Sequence, residues 1–222
     1  MADLGIECAA VDGQRHGAAP TLLFRLRVRE STGQRVDAIA LRCQLRVEPL
    51  RRAYSDRECG LLADVFGERG RWSQTARPMQ FAHAAVMVPS FTGEVEVEVA
   101  VPVTYDLEVA TGKYLHALEG GAAPMVMLFS GTVFGRAPAG LSVEPVPWRL
   151  ETRCDLPVAV WRALMDEYFP DSGWLRLHRE TLDELARYKA ARAIATWDET
   201  VAALLATAEQ PMTAEPSAGG IR

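Results

Sequence analysis

The chain has four cysteines but no C-x-x-C: Cys8, Cys43, Cys59 and Cys154 lie 35, 16 and 95 positions apart. That spacing excludes a local zinc knuckle and a thioredoxin-type redox motif. No cationic-then-apolar leader opens the sequence, so the cysteines read as reduced thiols of a cytoplasmic protein, with a bridge between two of them as the open alternative. Long apolar runs are also missing. The stretches around Leu204 and from Met125 to Phe129 fall far short of the roughly 20 residues that a bilayer span requires, so no membrane association is expected. The phosphate-cradling P-loop, the glycine fingerprint of dinucleotide sites and the G-x-S-x-G nucleophile elbow are likewise lacking. Phe129-Ser130-Gly131-Thr132 comes nearest to the elbow but has the wrong spacing, so Ser130 reads as a small polar residue where a strand bends.

Histidine is scarce and scattered at positions 16, 83, 116 and 178. A metal site would have to be assembled in space, and the best set is His83 and His116 with Cys59 or Cys43. No metal is specified by this pattern and no cofactor is expected. The acid pairs Asp166-Glu167 and Asp183-Glu184 fall on helix faces that solvent would cover, so no general acid and base pair is expected there.

What the chain does have is alternation. From Glu94 to Tyr105, Val95, Val97, Val99, Val101 and Val103 alternate with Glu94, Glu96, Glu98, Ala100, Pro102 and Thr104. Successive side chains of a strand point to opposite faces, so this run is a half-buried antiparallel strand. At 222 residues and 49% hydrophobic content the protein can bury a substantial core without staples. Its formal net charge of −5 argues against a general nucleic-acid binder. Eight arginines nevertheless crowd the segment from Arg25 to Arg52. Arg25, Arg27 and Arg29 alternate with Phe24, Leu26 and Val28, which predicts a solvent-facing arginine row able to pair across a sheet with Glu94, Glu96 and Glu98.

The fold class that follows is α+β, an antiparallel sheet or two-layer β-sandwich over 1–153 with a helical C-terminal subdomain over 154–208 packed on it, and a disordered tail over 209–222. Leu4 to Ala10 reads as an edge strand. Thr21 to Glu30 and Val36 to Glu48 make a hairpin, the second strand turning Leu41, Cys43, Leu45 and Val47 inward. Ser55 with Glu58 is a capping box for a short helix near 55–66. Polar residues 67–78 around Trp72 read as a loop, Met79 to Pro89 as a strand, Asp106 to Val109 as fading alternation, Pro124 to Phe134 as a central strand and Leu141 to Thr152 as the last. Asp155 then caps a helix with Val158, Trp161, Leu164, Met165 and Tyr168 on one face. A second stripe from Leu182 to Trp197 and a capping box at Thr196 and Glu199 leave one or two helices open over 179–208.

Trp148, Trp161, Trp174 and Trp197 all fall late in the chain, which predicts a sheet-to-helix seam. An exposed aromatic anchor in a loop is the competing use, and Trp174, with Trp72, is the predicted partner-binding residue. Two classes of function result: a non-catalytic protein-binding or assembly factor, and an enzyme whose site gathers dispersed His, Cys and acidic residues.

The stretch from Tyr105-Asp106-Leu107-Glu108-Val109 through Lys113-Tyr114 to Leu128-Phe129-Ser130-Gly131-Thr132-Val133-Phe134, followed by Val146-Pro147-Trp148 and Trp161, resembles an actinobacterial family of unknown function. The resemblance implies a gene context beside high-affinity nickel-iron hydrogenases, hence a hydrogenase subunit or maturation factor as the protein partner. It carries no active-site residue. Strands followed by C-terminal helices at acidic pI are also similar to the export chaperone SecB, which implies, by analogy alone, a binder of unfolded chains.

Overall fold

A computed structural model describes residues 3–137, 140–170 and 177–209. The described residues fall into two compact units, divided between Ser172 and Gly173. In the first, nine strands form two antiparallel sheets: β1 (Leu4–Gly13), β2 (Thr21–Glu30), β3 (Arg35–Val47), β4 (Met79–Val88), β5 (Phe91–Thr92), β6 (Glu94–Pro102), β7 (Ala122–Ala137), β8 (Gly140–Pro145) and β9 (Glu151–Pro157). The smaller sheet has the order β1-β2-β6 and the larger the order β4-β3-β7-β8, with β5 on β3 and β9 on β7. The long β7 pairs with β3 along one side, and on the other with β9 over its first half and β8 over its second. The sheets approach each other at two seams, β1 against β9 and β4 against β6.

Alternation decides which residues fill the space between the sheets. Leu22, Phe24, Leu26 and Val28 of β2 meet the inward rows Ile39, Leu41, Cys43, Leu45 and Val47 of β3 and Met125, Met127 and Phe129 of β7 in one buried core. The predicted cross-strand register is present: Arg25 faces Glu98, Arg27 faces Glu96 and Arg29 faces Glu94. Arg27 is 3.1 Å from Glu96, 3.0 Å from Glu94 and 2.8 Å from Glu7 of β1. The β2–β3 hairpin turns at Ser31 to Gln34, and Glu30, buried beneath it, accepts hydrogen bonds from the backbone N–H of Asp3, Thr32 and Gln34 and from the Thr32 hydroxyl.

Helices occupy the connections. The Ser55–Glu58 capping box is formed, but Leu62 interrupts the helix, giving α1 (Asp56–Leu61) and α2 (Ala63–Phe66). Residues 67–78 are more than a loop, since 3-10 turns at Arg69–Arg71 lead into α3 (Trp72–Thr75). The largest departure is α4 (Tyr105–Ala117), where fading strand alternation was expected; β6 stops at Pro102 and the Thr104 side chain caps the helix by accepting from the Leu107 N–H. Its buried positions Leu107, Thr111, Tyr114, Leu115 and Leu118 follow helical spacing.

The last strand also differs. Leu141 to Thr152 is two strands, β8 and β9, separated at Val146–Leu150, and β9 crosses the expected boundary at 153 to end at Pro157. Asp155 therefore lies in a strand and caps nothing; α5 (Val158–Tyr168) starts directly after Pro157. Val158, Trp161, Leu164 and Met165 are its buried face, lying on β1 and β9. The second unit contains α6 (Arg179–Ala191) and α7 (Trp197–Glu209), two helices because Ala193 takes a φ of 53° between them. The Thr196–Glu199 capping box opens α7. The expected tail beyond Glu209 lies outside the described residues.

Candidate functional site

Of the two predicted partner-binding residues, Trp72 is buried, and the reason is its indole: Nε1 donates to the Gly67 carbonyl at 2.9 Å while the ring packs edge-on to Tyr54 and Phe66. It is a core residue. Trp174 lies outside the described residues. The expected tryptophan seam reduces to Trp161, which is fully buried; Trp148 is 91% exposed and Trp197 47%.

The metal candidates do not come together. His83 sits opposite Gln44 on the outer face of β4, whereas Cys43 points into the core, where burial pushes its thiol up to about 12. Side chains on opposite faces of a sheet cannot share an ion. Cys59 is on α1, and His116 on α4 stacks edge-on to Trp161. Among the described residues no group of three His, Cys, Asp or Glu side chains is placed to hold a metal. His116 lines a cleft of about 330 Å³ with Arg57, Leu61, Ala117, Glu119 and Arg162. Its cations have partners inside the protein: Arg57 pairs with Glu119, and Arg162 donates to the Leu118 and Glu119 carbonyls. Ser130 sits opposite Arg42 on β3, within a strand.

A buried polar knot near α1 has the perturbed ionisation that often marks active sites. Arg52 donates to Glu58 at 2.8 Å and to the carbonyls of Ala53, Gly120 and Ala122. Glu58 also accepts from the N–H groups of Ser55 and Glu119. Tyr54 and Tyr114 hydroxyls lie 3.0 Å apart, and burial first, then their mutual contact, raises Tyr54 far above the ordinary tyrosine range. Every partner here is part of the fold, so the knot ties the 49–58 segment to the entry of β7 and leaves no reacting group free.

What remains is the outer face of the larger sheet. Register carries Met87 of β4 opposite Ala40 of β3, Ala40 opposite Thr132 of β7 and Thr132 opposite Pro145 of β8; one pair further along, Ala38 meets Phe134, which meets Val143. Leu141, opposite Arg136, ends the β8 row. Met87 is 62%, Val143 56% and Leu141 71% exposed. The other end of the same face is polar, with Arg42, Gln44 and Arg46. Of the sheet borders, β1 lies against β9 and β4 against β6, while β8 pairs with β7 alone. Among the described residues no strand pairs with its outward edge, and the strand carries no lysine or arginine to discourage pairing. Pro145 and Pro147 place the last strand of the sequence at an edge or bend, as β8 is; what the sequence alone did not show is that Leu141 and Val143 face outward.

One further pair is close. The sulfur atoms of Cys8 on β1 and Cys154 on β9 are 3.2 Å apart, both unbridged. The hydrogen bond between the two sulfurs holds the Cys8 thiol below its ordinary value, while Cys154 is pushed far up by Cys8 and by burial.

No curated protein matches the chain. Among solved structures it is similar to a β-glucosidase from Kluyveromyces marxianus, at 7% identity and a TM-score of 0.26, over 70% of this chain and 15% of that one. It is also similar to a protein named as a candidate late embryogenesis abundant (LEA) protein, at 11% identity and a TM-score of 0.31, over 70% of this chain and 71% of that one. The chain thus spans less than a sixth of the β-glucosidase. A family model matches residues 1–213, which shows that the protein belongs to DUF6084, a family of unknown function.

Proposed function

We propose that this protein is a non-catalytic binding or assembly factor that acts in the cytoplasm and captures an extended segment of a protein partner along β8. The observation that supports the reading is the pairing of an open strand edge with the exposed side chains of Leu141 and Val143 on the same strand. An added strand would satisfy the outward backbone groups of β8, and its alternate apolar side chains would cover those two residues. Full burial of a Leu or Val side chain is worth about 1.5–3 kcal/mol, enough for these positions to dominate a small interface. The gene context that the resemblance implies nominates a nickel-iron hydrogenase subunit or maturation factor as the partner.

The test is a titration of purified hydrogenase subunits and maturation factors against the parent and the double variant Leu141→Asn with Val143→Asn. The expected loss is about 2 kcal/mol or more, roughly 30-fold in Kd, with unchanged thermal unfolding. Equal binding by parent and variant moves the site away from β8. Failure of every hydrogenase component to bind removes that partner.

A further inference from the structure

We propose that Cys8 and Cys154 are a redox site in which a peroxide drives formation of a disulfide that fastens the two sheets to each other. The two residues are 146 positions apart in sequence and belong to different sheets, yet the seam of β1 against β9 leaves their sulfurs 3.2 Å apart. A disulfide needs about 2.05 Å, so closing the gap takes a movement of roughly 1 Å. Local backbone freedom is at hand, because the β1–β2 register slips between Cys8 and Ala10 and leaves Ala9 without a partner opposite it. Access is one-sided in a useful way. Cys8 is half-buried and open to a small oxidant, and Cys154 is buried behind it.

The step balances as two thiols plus one peroxide giving one disulfide and two waters. The Cys8 thiolate attacks one peroxide oxygen, the O–O bond breaks, and Cys8 becomes a sulfenic acid as the first water leaves. The Cys154 sulfur then attacks the Cys8 sulfur, the S–O bond breaks, and the proton from Cys154 departs with the second water. Because its pKa is held below the ordinary thiol value, Cys8 is the more readily ionised of the two and the favoured attacking sulfur. The other two cysteines take no part: Cys43 is in the core, and Cys59 is on α1.

The experiment exposes the reduced full-length protein to hydrogen peroxide at near-neutral pH, labels the remaining thiols after unfolding, and maps tryptic peptides. The expected result is loss of two of the four labelled thiols, a cross-linked species joining the peptide that ends at Arg15 to the one running from Cys154 to Arg162, and full recovery with dithiothreitol. The oxidised protein should unfold at a temperature several degrees higher. In Cys154→Ser, Cys8 should stop at a sulfenic acid that dimedone traps. If that variant fails to fold, Cys8→Ser serves in its place and must abolish the cross-linked peptide while leaving Cys154 reduced. Conversion of Cys8 in the parent protein to sulfinic acid without the Cys8–Cys154 peptide would overturn the proposal, as would thiol loss confined to Cys43 and Cys59.

Discussion

On the outer face of the smaller sheet, Arg25, Arg27 and Arg29 stand opposite Glu98, Glu96 and Glu94, with Glu7 and Asp12 of β1 completing the ion pairs on the other side. On the outer face of the larger sheet, Met87, Val143 and Leu141 stand in water, with Ala38, Ala40 and Phe134 between them. The inner rows of β2, β3, β6 and β7 are filled with buried apolar side chains, whereas β8 turns the half-buried Ser142 and Glu144 inward. The inner row is fixed by the need to bury apolar surface; the outer row is free to record what the face is for. A face whose charges are matched within the sheet is complete without a partner. One that leaves large apolar side chains exposed on an edge strand has room for a partner that its own sheet does not supply.

The comparison can be broken most forcefully from within. Gly131 of β7 has a φ of 140°, and a Cβ there would run into the Ala40 carbonyl oxygen of β3. Gly131→Ala should therefore force β7 from β3 and abolish cooperative unfolding in a denaturant titration; parent-like unfolding would show that the outer face of the larger sheet is not held as described. Val97→Asp, which puts a carboxylate on the buried row of β6, should destabilise by about 3–5 kcal/mol. Retention of the parental midpoint would mean that β6 presents the opposite face.

A subtler test uses Glu30. Although burial acts to raise its pKa, the hydrogen bonds from Thr32, Asp3 and Gln34 outweigh it and hold the carboxyl below the ordinary glutamate range. The folded state thus binds the proton less readily than the unfolded one. The stabilisation is fully present above the unfolded glutamate value and is lost as pH falls through the lower folded value. Glu30→Gln should be less stable than the parent at pH 7, and the difference should shrink as the pH drops below about 4. A gap independent of pH would assign the effect to shape and not to charge. Least of all, Glu96→Gln should cost about 0.2–1 kcal/mol, since its pair with Arg27 is exposed; a larger loss would show that the ion-pair row is part of what holds the small sheet together.

Much of this fold is visible in the residues. Period-two alternation identifies β2, β3 and β6 and even their charge pairing, because each strand has one wet face and one dry face. The Ser55–Glu58 and Thr196–Glu199 boxes mark helix starts because their chemistry is local. The helix α4 was hidden by its neighbour: valine alternation runs up to Val103, and Gly112 with the β-branched Val109 and Thr111 weakens helical propensity. The stripe of Leu107, Thr111, Tyr114, Leu115 and Leu118 was there to be read. The sites were less legible. Trp72 offers the same letters whether its ring anchors a partner or packs on Tyr54. Cys8 and Cys154 become neighbours only when two sheets close, and no spacing in the sequence announces that.

Having a single uncovered border sets a stoichiometry. With β1 lying along β9 and β4 along β6, β8 is the one border strand among the described residues without a neighbouring sheet on its far side. A body with two such borders can be stacked end to end without limit, but a body with one can only be capped. A segment that pairs with β8 therefore terminates growth, and even self-pairing, β8 against β8 of a second copy, closes on itself as a two-fold dimer and cannot extend into a fibre.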